Sequence, residues 1–376
     1  MSYALIVFGL VALVIGAELL VRGASRLAAA FGVSSLIVGL TVVALGTSAP
    51  EFAVSVSSSF SGRSDIAVGN VVGSNIYNVL LILGLSALII PLVVDQKLIR
   101  FDVPLMLVVS LAMWAMSYDG VISRADGLLL VLGLLAFMIW CIVLGRREST
   151  AVKHEYDEAF GDADTIENAD LPSSGAGRQN HLWQVGLIVA GLILLVLGAG
   201  WLVDGASAVA RSLGISDLVI GLTIVALGTS LPELATSVVA ALRGERDIAV
   251  GNVVGSNLFN ILGVLGLSAV LAPNGIPVSP QALEFDIPIM LIVAAACLPM
   301  FFTGHLISRW EGALFFGYSI AYTVAVFMMA ANSSLLSEFR LLMFGFVIPL
   351  TAVTMLVGVW RAVGEWRVRR RGTTEK

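Results

Sequence analysis

The sequence predicts an all-α integral membrane protein: an inverted repeat of two five-helix units plus an extra C-terminal transmembrane helix. Three observations carry that expectation. Of 376 residues, 58% are hydrophobic and 12% charged, with a mean hydropathy of +0.97, whereas a soluble domain carries about 25% charged side chains. The apolar runs are continuous and do not alternate with a period of two, which selects helices over a barrel. Two sequence blocks also occur twice at a fixed offset of 182 residues, the mark of an internal repeat. Two cysteines exclude a disulfide-stapled secreted fold.

A helix needs about 20 apolar residues to cross the hydrocarbon core. The first unit, residues 1–145, holds five such runs, near 3–30, 33–60, 65–91, 103–118 and 125–145. The first begins at Tyr3 with no basic residue before it, so it reads as a retained helix and not a signal peptide. Residues 146–181 form an acidic linker that ends in Pro, Ser and Gly, a composition that favours a solvated tether. Its Gly161-Asp162-Ala163-Asp164 resembles the start of a calcium-binding EF-hand loop, but the glycine and glutamate that loop requires do not follow.

The second unit, 182–331, has runs near 182–210, 215–241, 248–272, 286–303 and 310–331. Residues 332–376 add an eleventh run near 340–360 and a basic tail. With the N-terminus outside, eleven crossings place 17 Lys and Arg residues on the inner side and 4 on the outer. The positive-inside rule then predicts a multi-pass cell-membrane protein with the linker and C-terminus in the cytoplasm. Arg367–Arg371 anchors the tail inside; contact with anionic membrane lipid is the second reading of that run.

Residues 32–51 (GVSSLIVGLTVVALGTSAPE) and 214–233 (GISDLVIGLTIVALGTSLPE) share 14 of 20 positions, and DIAVGNVVGSN stands unchanged at 65–75 and 247–257. Five crossings per unit is an odd number, so the copies enter the membrane in opposite directions, a secondary-transporter architecture with its site at the midplane. Packing would accept any apolar residue of matching volume. Retention of Thr, Ser, Pro, Glu and Asn in both copies is therefore a chemical signal.

Glu51 and Glu233 lie near the middle of their runs, where each charge costs about 2.5–3.5 kcal/mol on insertion scales. A protonated glutamate between helices or an ion pair with a distant arginine would relieve that cost. The symmetric recurrence favours a bound cation. Pro50 and Gly46 break the helix and are expected to free carbonyls around Ala44–Thr47, while Thr47 and Glu51, four apart, share a face. Together these groups make an all-oxygen site for a hard cation. Ordinary back-bonding is the competing reading for the hydroxyls.

Ser74 and Asn78 are four apart, as are Ser256 and Asn260, and each pair faces the site. Gly69 and Gly73 form a small-residue seam for a neighbouring helix, Asn70 and Asn75 are assigned to helix–helix hydrogen bonds, and Asp65 and Asp247 read as N-caps. The two glutamates carry a charge that balances one Ca²⁺, two Na⁺ or two protons, and competition for one site is the physical basis of antiport.

The paired GTSxPE and GNVVGSN blocks resemble the alpha repeats of the sodium/calcium exchanger family, within the cation/calcium exchanger superfamily, over roughly residues 1–331. The resemblance implies a ten-helix exchanger core with Na⁺ and Ca²⁺ as substrates and no cofactor. It also implies Ca²⁺ held by Glu51 and Glu233 with the backbone carbonyls of Thr47 and Thr229. Ala44, Ser48, Ser74, Ala226, Ser230 and Ser256 would complete sodium sites, with Asn78 and Asn260 at the centre, and the first helix of each half would slide over the rest. Some microbial relatives carry aspartate where this chain has Asn260, which leaves H⁺/Ca²⁺ antiport and K⁺-dependent Na⁺/Ca²⁺ exchange as alternatives.

An intramembrane hydrolase using Ser48 or Ser230 lacks a base, because His154, His181 and His305 lie outside the motifs. A non-transporting calcium sensor would not need an inverted repeat. The sequence gives no sign of an enzyme, a nucleic-acid partner or an obligate protein partner.

Overall fold

A computed structural model of the chain describes residues 2–60, 65–160, 174–214, 224, 226–302, 305–331, 333–354 and 356. Hydrocarbon leaves a spanning segment no water to satisfy its peptide groups, so the long apolar runs are helices. The first unit contains α1 (Ser2–Phe31), α2 (Ser35–Thr47), α3 (Ala49–Phe60), α4 (Ile66–Ile89), α5 (Leu98–Met116) and α6 (Arg124–Phe160). The second contains α7 (Ser174–Ser212), α8 (Ala226–Gly228), α9 (Leu231–Leu242), α10 (Arg246–Leu271), α11 (Ala282–Phe302) and α12 (Arg309–Ala330), and α13 (Leu336–Thr354) follows.

Among the described residues, nine helices are long and apolar enough to span a membrane, or ten if the bent α2–α3 pair is one crossing. The run at 215–241 is described only in part, as α8 and α9, because 215–223 and 225 lie outside the described residues. So do the basic tail and the EF-hand-like residues 161–164. The linker is helical on both flanks, with α6 continuing to Phe160 and α7 starting at Ser174, and is not a tether throughout.

Two short antiparallel strand pairs report the inversion. β1 (Leu92–Val93), after α4, pairs with β4 (Leu306–Ile307), after α11; β2 (Val121–Ile122), after α5, pairs with β3 (Ile276–Pro277), after α10. Each pair joins the exit of the third crossing of one unit to the exit of the fourth crossing of the other. Those exits share a membrane face only if the units run in opposite directions.

The halves also interlock. The fifth crossing of each packs on the third crossing of the other through glycines: a Cβ at Gly127 would lie 2.7 Å from Gly266 O, and one at Gly312 would lie 2.7 Å from Gly84 O. Helices α1 and α7 pack antiparallel along a second seam, where a Cβ at Gly16 would lie 2.8 Å from Gly191 O and one at Gly9 would lie 2.7 Å from Gly198 O. The most buried spans are α10 and α4, and both widen into π-helical turns, at Asn260–Leu265 and Asn78–Leu83. Such turns mark functional positions in helices.

Helix α13 packs on α12 through the Tyr318 hydroxyl, 2.6 Å from Thr351 Oγ1. It encloses with α11 and α12 an apolar cavity of about 300 Å³. Asp247 is not an N-cap: Glu245 holds that position and Asp247 lies in the first turn. Asp65 opens its helix. Cys141 and Cys297 are free and buried in the core, as their apolar surroundings imply.

Candidate cation site

The GTSxPE motifs are helix breaks. Helices α2 and α3 meet at Ser48 with a 45° bend, and Ser48 (φ −78°, ψ 8°) and Ser230 (φ −87°, ψ 4°) adopt nearly the same conformation. Pro50 and Pro232 fall in the first turn of the next helix, where a missing N–H costs little. The break therefore falls at Ser48 and Ser230, two residues past Gly46 and Gly228. It places Glu51 and Glu233 in the first turns of α3 and α9, where unpaired N–H groups and the helix dipole favour a negative charge.

Two sequence expectations need correction here. The break does not free the Ala44 carbonyl, which accepts the Ser48 N–H at 3.1 Å. In the second half Ser230 N–H bonds Leu227 O at 3.2 Å, one residue beyond Ala226. Nor do Thr47 and Glu51 share a continuous helix face, because the turn at Ser48 separates them. The glycine roles are also sharper than a helix break. Gly46 packs under Leu192, and Gly228 under Val203, so α7 covers both motifs.

Both glutamates are 1% exposed. Each is bonded by the opposite half: Ser48 Oγ donates to Glu233 Oε1 at 3.1 Å and Ser230 Oγ to Glu51 Oε1 at 3.4 Å. Ser230 Oγ is also 3.4 Å from Ser74 Oγ. Thr229 lies beside Glu51 and Ser256 beside Glu233. Thr47 turns its hydroxyl to Val43 O (3.1 Å) and Asn252 Oδ1 (3.1 Å), so back-bonding does hold for this one residue.

Asn70 and Asn252 buttress the acids. Asn70 Nδ2 donates to Glu51 O (3.1 Å) and Ser55 Oγ (2.9 Å), and Asn252 Nδ2 to Glu233 O (3.4 Å) and Ser237 Oγ (3.0 Å). At the centre, Asn78 Nδ2 donates to Asn257 Oδ1 and Asn260 Nδ2 to Asn75 Oδ1, both at 3.0 Å. The seam expected at Gly69 and Gly73 is seen in the second copy, where a Cβ at Gly251 would lie 3.0 Å from Leu36 O and one at Gly255 would lie 2.6 Å from Leu40 O. At Gly69 and Gly73 no described residue lies within 4 Å of where a Cβ would stand.

Burial normally requires a hydrogen-bond partner for every polar atom. Here Glu51 Oε2, Glu233 Oε2, Asn78 Oδ1, Asn260 Oδ1, Thr229 Oγ1 and Ser256 Oγ are buried without one. These six oxygens, all on expected residues, are of the kind a hard cation takes; the Ser86, Ser207, Ser268 and Thr236 hydroxyls and Asp102 Oδ2 are also buried without a partner. Among the described residues neither carboxylate has a basic side chain within 4.0 Å, so the ion-pair reading lacks a partner. No cluster of three or more His, Cys, Asp or Glu exists among them either.

Residues 1–143 and 183–328 match the family described as sodium/calcium exchanger protein. The chain is 41% identical to the inner membrane protein YrbG of Escherichia coli, over 60% of this chain and 66% of that protein. It is 34% identical to the sodium/calcium exchanger MaX1 of Methanosarcina acetivorans, over 87% of this chain and 98% of that one. The solved structure of the sodium/calcium exchanger from Methanococcus jannaschii superposes with a TM-score of 0.71 at 31% identity, over 86% of this chain and 97% of that one.

Proposed function

The chain belongs to the sodium/calcium exchanger family, and from that premise we propose that it is a secondary active antiporter exchanging Na⁺ for Ca²⁺ at the site between its halves. The observation that carries this reading is the set of six buried oxygens on expected site residues, two of them carboxylate, that have no hydrogen-bond partner. Ca²⁺ binds between Glu51 and Glu233, with the backbone carbonyls of Thr47 and Thr229. Na⁺ uses the same carboxylates with Ser48, Ser74, Ser230, Ser256 and the carbonyl of Ala226. Asn78 and Asn260 supply neutral oxygens at the centre. One Ca²⁺ or two Na⁺ neutralises the pair, so the ions exclude one another.

Access alternates as α1 and α7 slide together over the other helices, with the N-terminus outside and the C-terminus in the cytoplasm. The glycine seam between α1 and α7, and the contact of α7 with Gly46 and Gly228, support that motion. The test is ⁴⁵Ca²⁺ uptake into proteoliposomes driven by an outward Na⁺ gradient. Uptake that ignores Na⁺ and follows a pH gradient would replace Na⁺ with H⁺ in this scheme. An absolute K⁺ requirement would make the exchange K⁺-dependent.

A further inference from the structure

The amides at the centre form two crossed relays, and we propose that Asn75 and Asn257 are positioning residues that fix which end of Asn260 and Asn78 faces the transported cation. The proposal rests on the site reading above and adds residues to it that do not themselves bind the ion.

A carboxamide has an acceptor end and a donor end of nearly equal size. Only the oxygen can ligate a hard cation; the NH₂ end would present hydrogens to it. Something must therefore choose the orientation of Asn78 and Asn260, and the choice begins at a methionine. A thioether accepts weakly and cannot donate. Asn257 turns its Nδ2 to Met106 Sδ at 3.3 Å, which leaves its Oδ1 to receive Asn78 Nδ2 at 3.0 Å. The remaining atom, Asn78 Oδ1, is buried without a partner.

The second relay runs the other way. Asn75 Nδ2 points to Met290 Sδ (3.8 Å) and Asn257 O (3.2 Å), and its Oδ1 receives Asn260 Nδ2 at 3.0 Å. Asn260 Oδ1 is again the unpartnered atom. A flipped Asn78 or Asn260 would set two acceptors 3.0 Å apart and turn its NH₂ toward the site. Each relay starts in one half, passes through the other and returns, so each half orients the central ligand of its twin.

A merely structural role, bonding α4 to α10, is separated by a double-mutant cycle. Aspartate carries oxygen on both sides, so orientation at position 260 ceases to matter once it is Asp. Asn75→Ala should raise the Ca²⁺ Kd and KM about tenfold, the scale of one misplaced buried polar group, with maximal flux kept. In the Asn260→Asp background the same substitution should change Kd less than about twofold. Asn257→Ala should behave likewise with Asn78→Asp. Met290→Leu, a mild packing change, should give a smaller loss that Asn260→Asp also cancels, and it serves if Asn75→Ala does not fold. Equal losses in both backgrounds overturn the relay and leave only a helix contact. Asn260→Ala with wild-type Na⁺ and Ca²⁺ binding would instead overturn the site reading and, with it, the relay.

Discussion

Glu51→Gln separates charge from shape, because glutamine keeps one oxygen and the volume. At an effective dielectric of about 20, unit charges 4 Å apart interact by about 4 kcal/mol, so a divalent ion loses about twice what a monovalent one does. Proton uptake and residual solvation reduce both figures, and removing one partner of a buried pair costs about 3–5 kcal/mol in practice. Ca²⁺ affinity should therefore fall by about 4 kcal/mol, roughly a thousandfold, and Na⁺ affinity by about 2 kcal/mol, roughly thirtyfold. Glu233→Gln should match it, since both acids are equally buried and each accepts one serine hydroxyl from the opposite half. The assay is equilibrium ⁴⁵Ca²⁺ and ²²Na⁺ binding to purified protein. Ca²⁺ at a hundred times Kd should stabilise the wild type by about 2.7 kcal/mol, a gain that the variant loses. Equal losses for the two ions, or Ca²⁺ binding left intact, would refute Glu51 as a charge-neutralising ligand.

Ser48→Ala should weaken Ca²⁺ binding through Glu233, and Ser230→Ala through Glu51, each by about 1–2 kcal/mol; competition binding measures both. Gly16→Leu places a side chain where a Cβ alone would lie 2.8 Å from Gly191 O. It should abolish flux while equilibrium binding stays within about threefold, since no site residue lies on α1 or α7; stopped-flow uptake against binding decides it. Tyr322→Phe removes a 3.0 Å bond to Asp286, and should lower thermal stability by about 1 kcal/mol with ion affinity unchanged, as read by a melting curve with and without Ca²⁺.

The sequence made the repeat, its inversion and the two acids legible because hydrocarbon penalises polar residues, so that those retained in both copies stand out. Ser48 meets Glu233, and Ser230 meets Glu51 and Ser74, contacts that the family resemblance implied and that spacing did not. Local geometry was less legible. Where a helix breaks depends on whether its N–H groups find partners, and the bonds of Ser48 N–H to Ala44 O and Ser230 N–H to Leu227 O are tertiary outcomes. The π-helical turns at Asn78 and Asn260 leave no residue pattern that periodicity can read. Asn75 was legible as a helix–helix bond, but its partner Asn260 was not, because contacts between repeats carry no sequence spacing.

The contacts between halves also constrain how access can alternate. One half rocking against the other would have to break β1–β4 and β2–β3 and part the Gly127–Gly266 and Gly312–Gly84 contacts, at both faces at once. Beyond α7, helix α1 is linked to the connection between α9 and α10: Glu18 pairs with Arg243, 2.6 Å apart, and Ser25 Oγ donates to Glu245. Glu18 pairs with Arg22 as well, and both arginine side chains are about half exposed, a setting in which ion pairs contribute about 1 kcal/mol or less. These contacts favour the motion proposed above, of α1 with α7, over rocking of the halves. In a cysteine-free background, a disulfide joining Val93→Cys to Leu306→Cys, which pair in register, should leave exchange at wild-type rates. One joining Ser25→Cys to Glu245→Cys should stop it until reduced. The reverse pattern would show that the halves rock and that α1 does not slide.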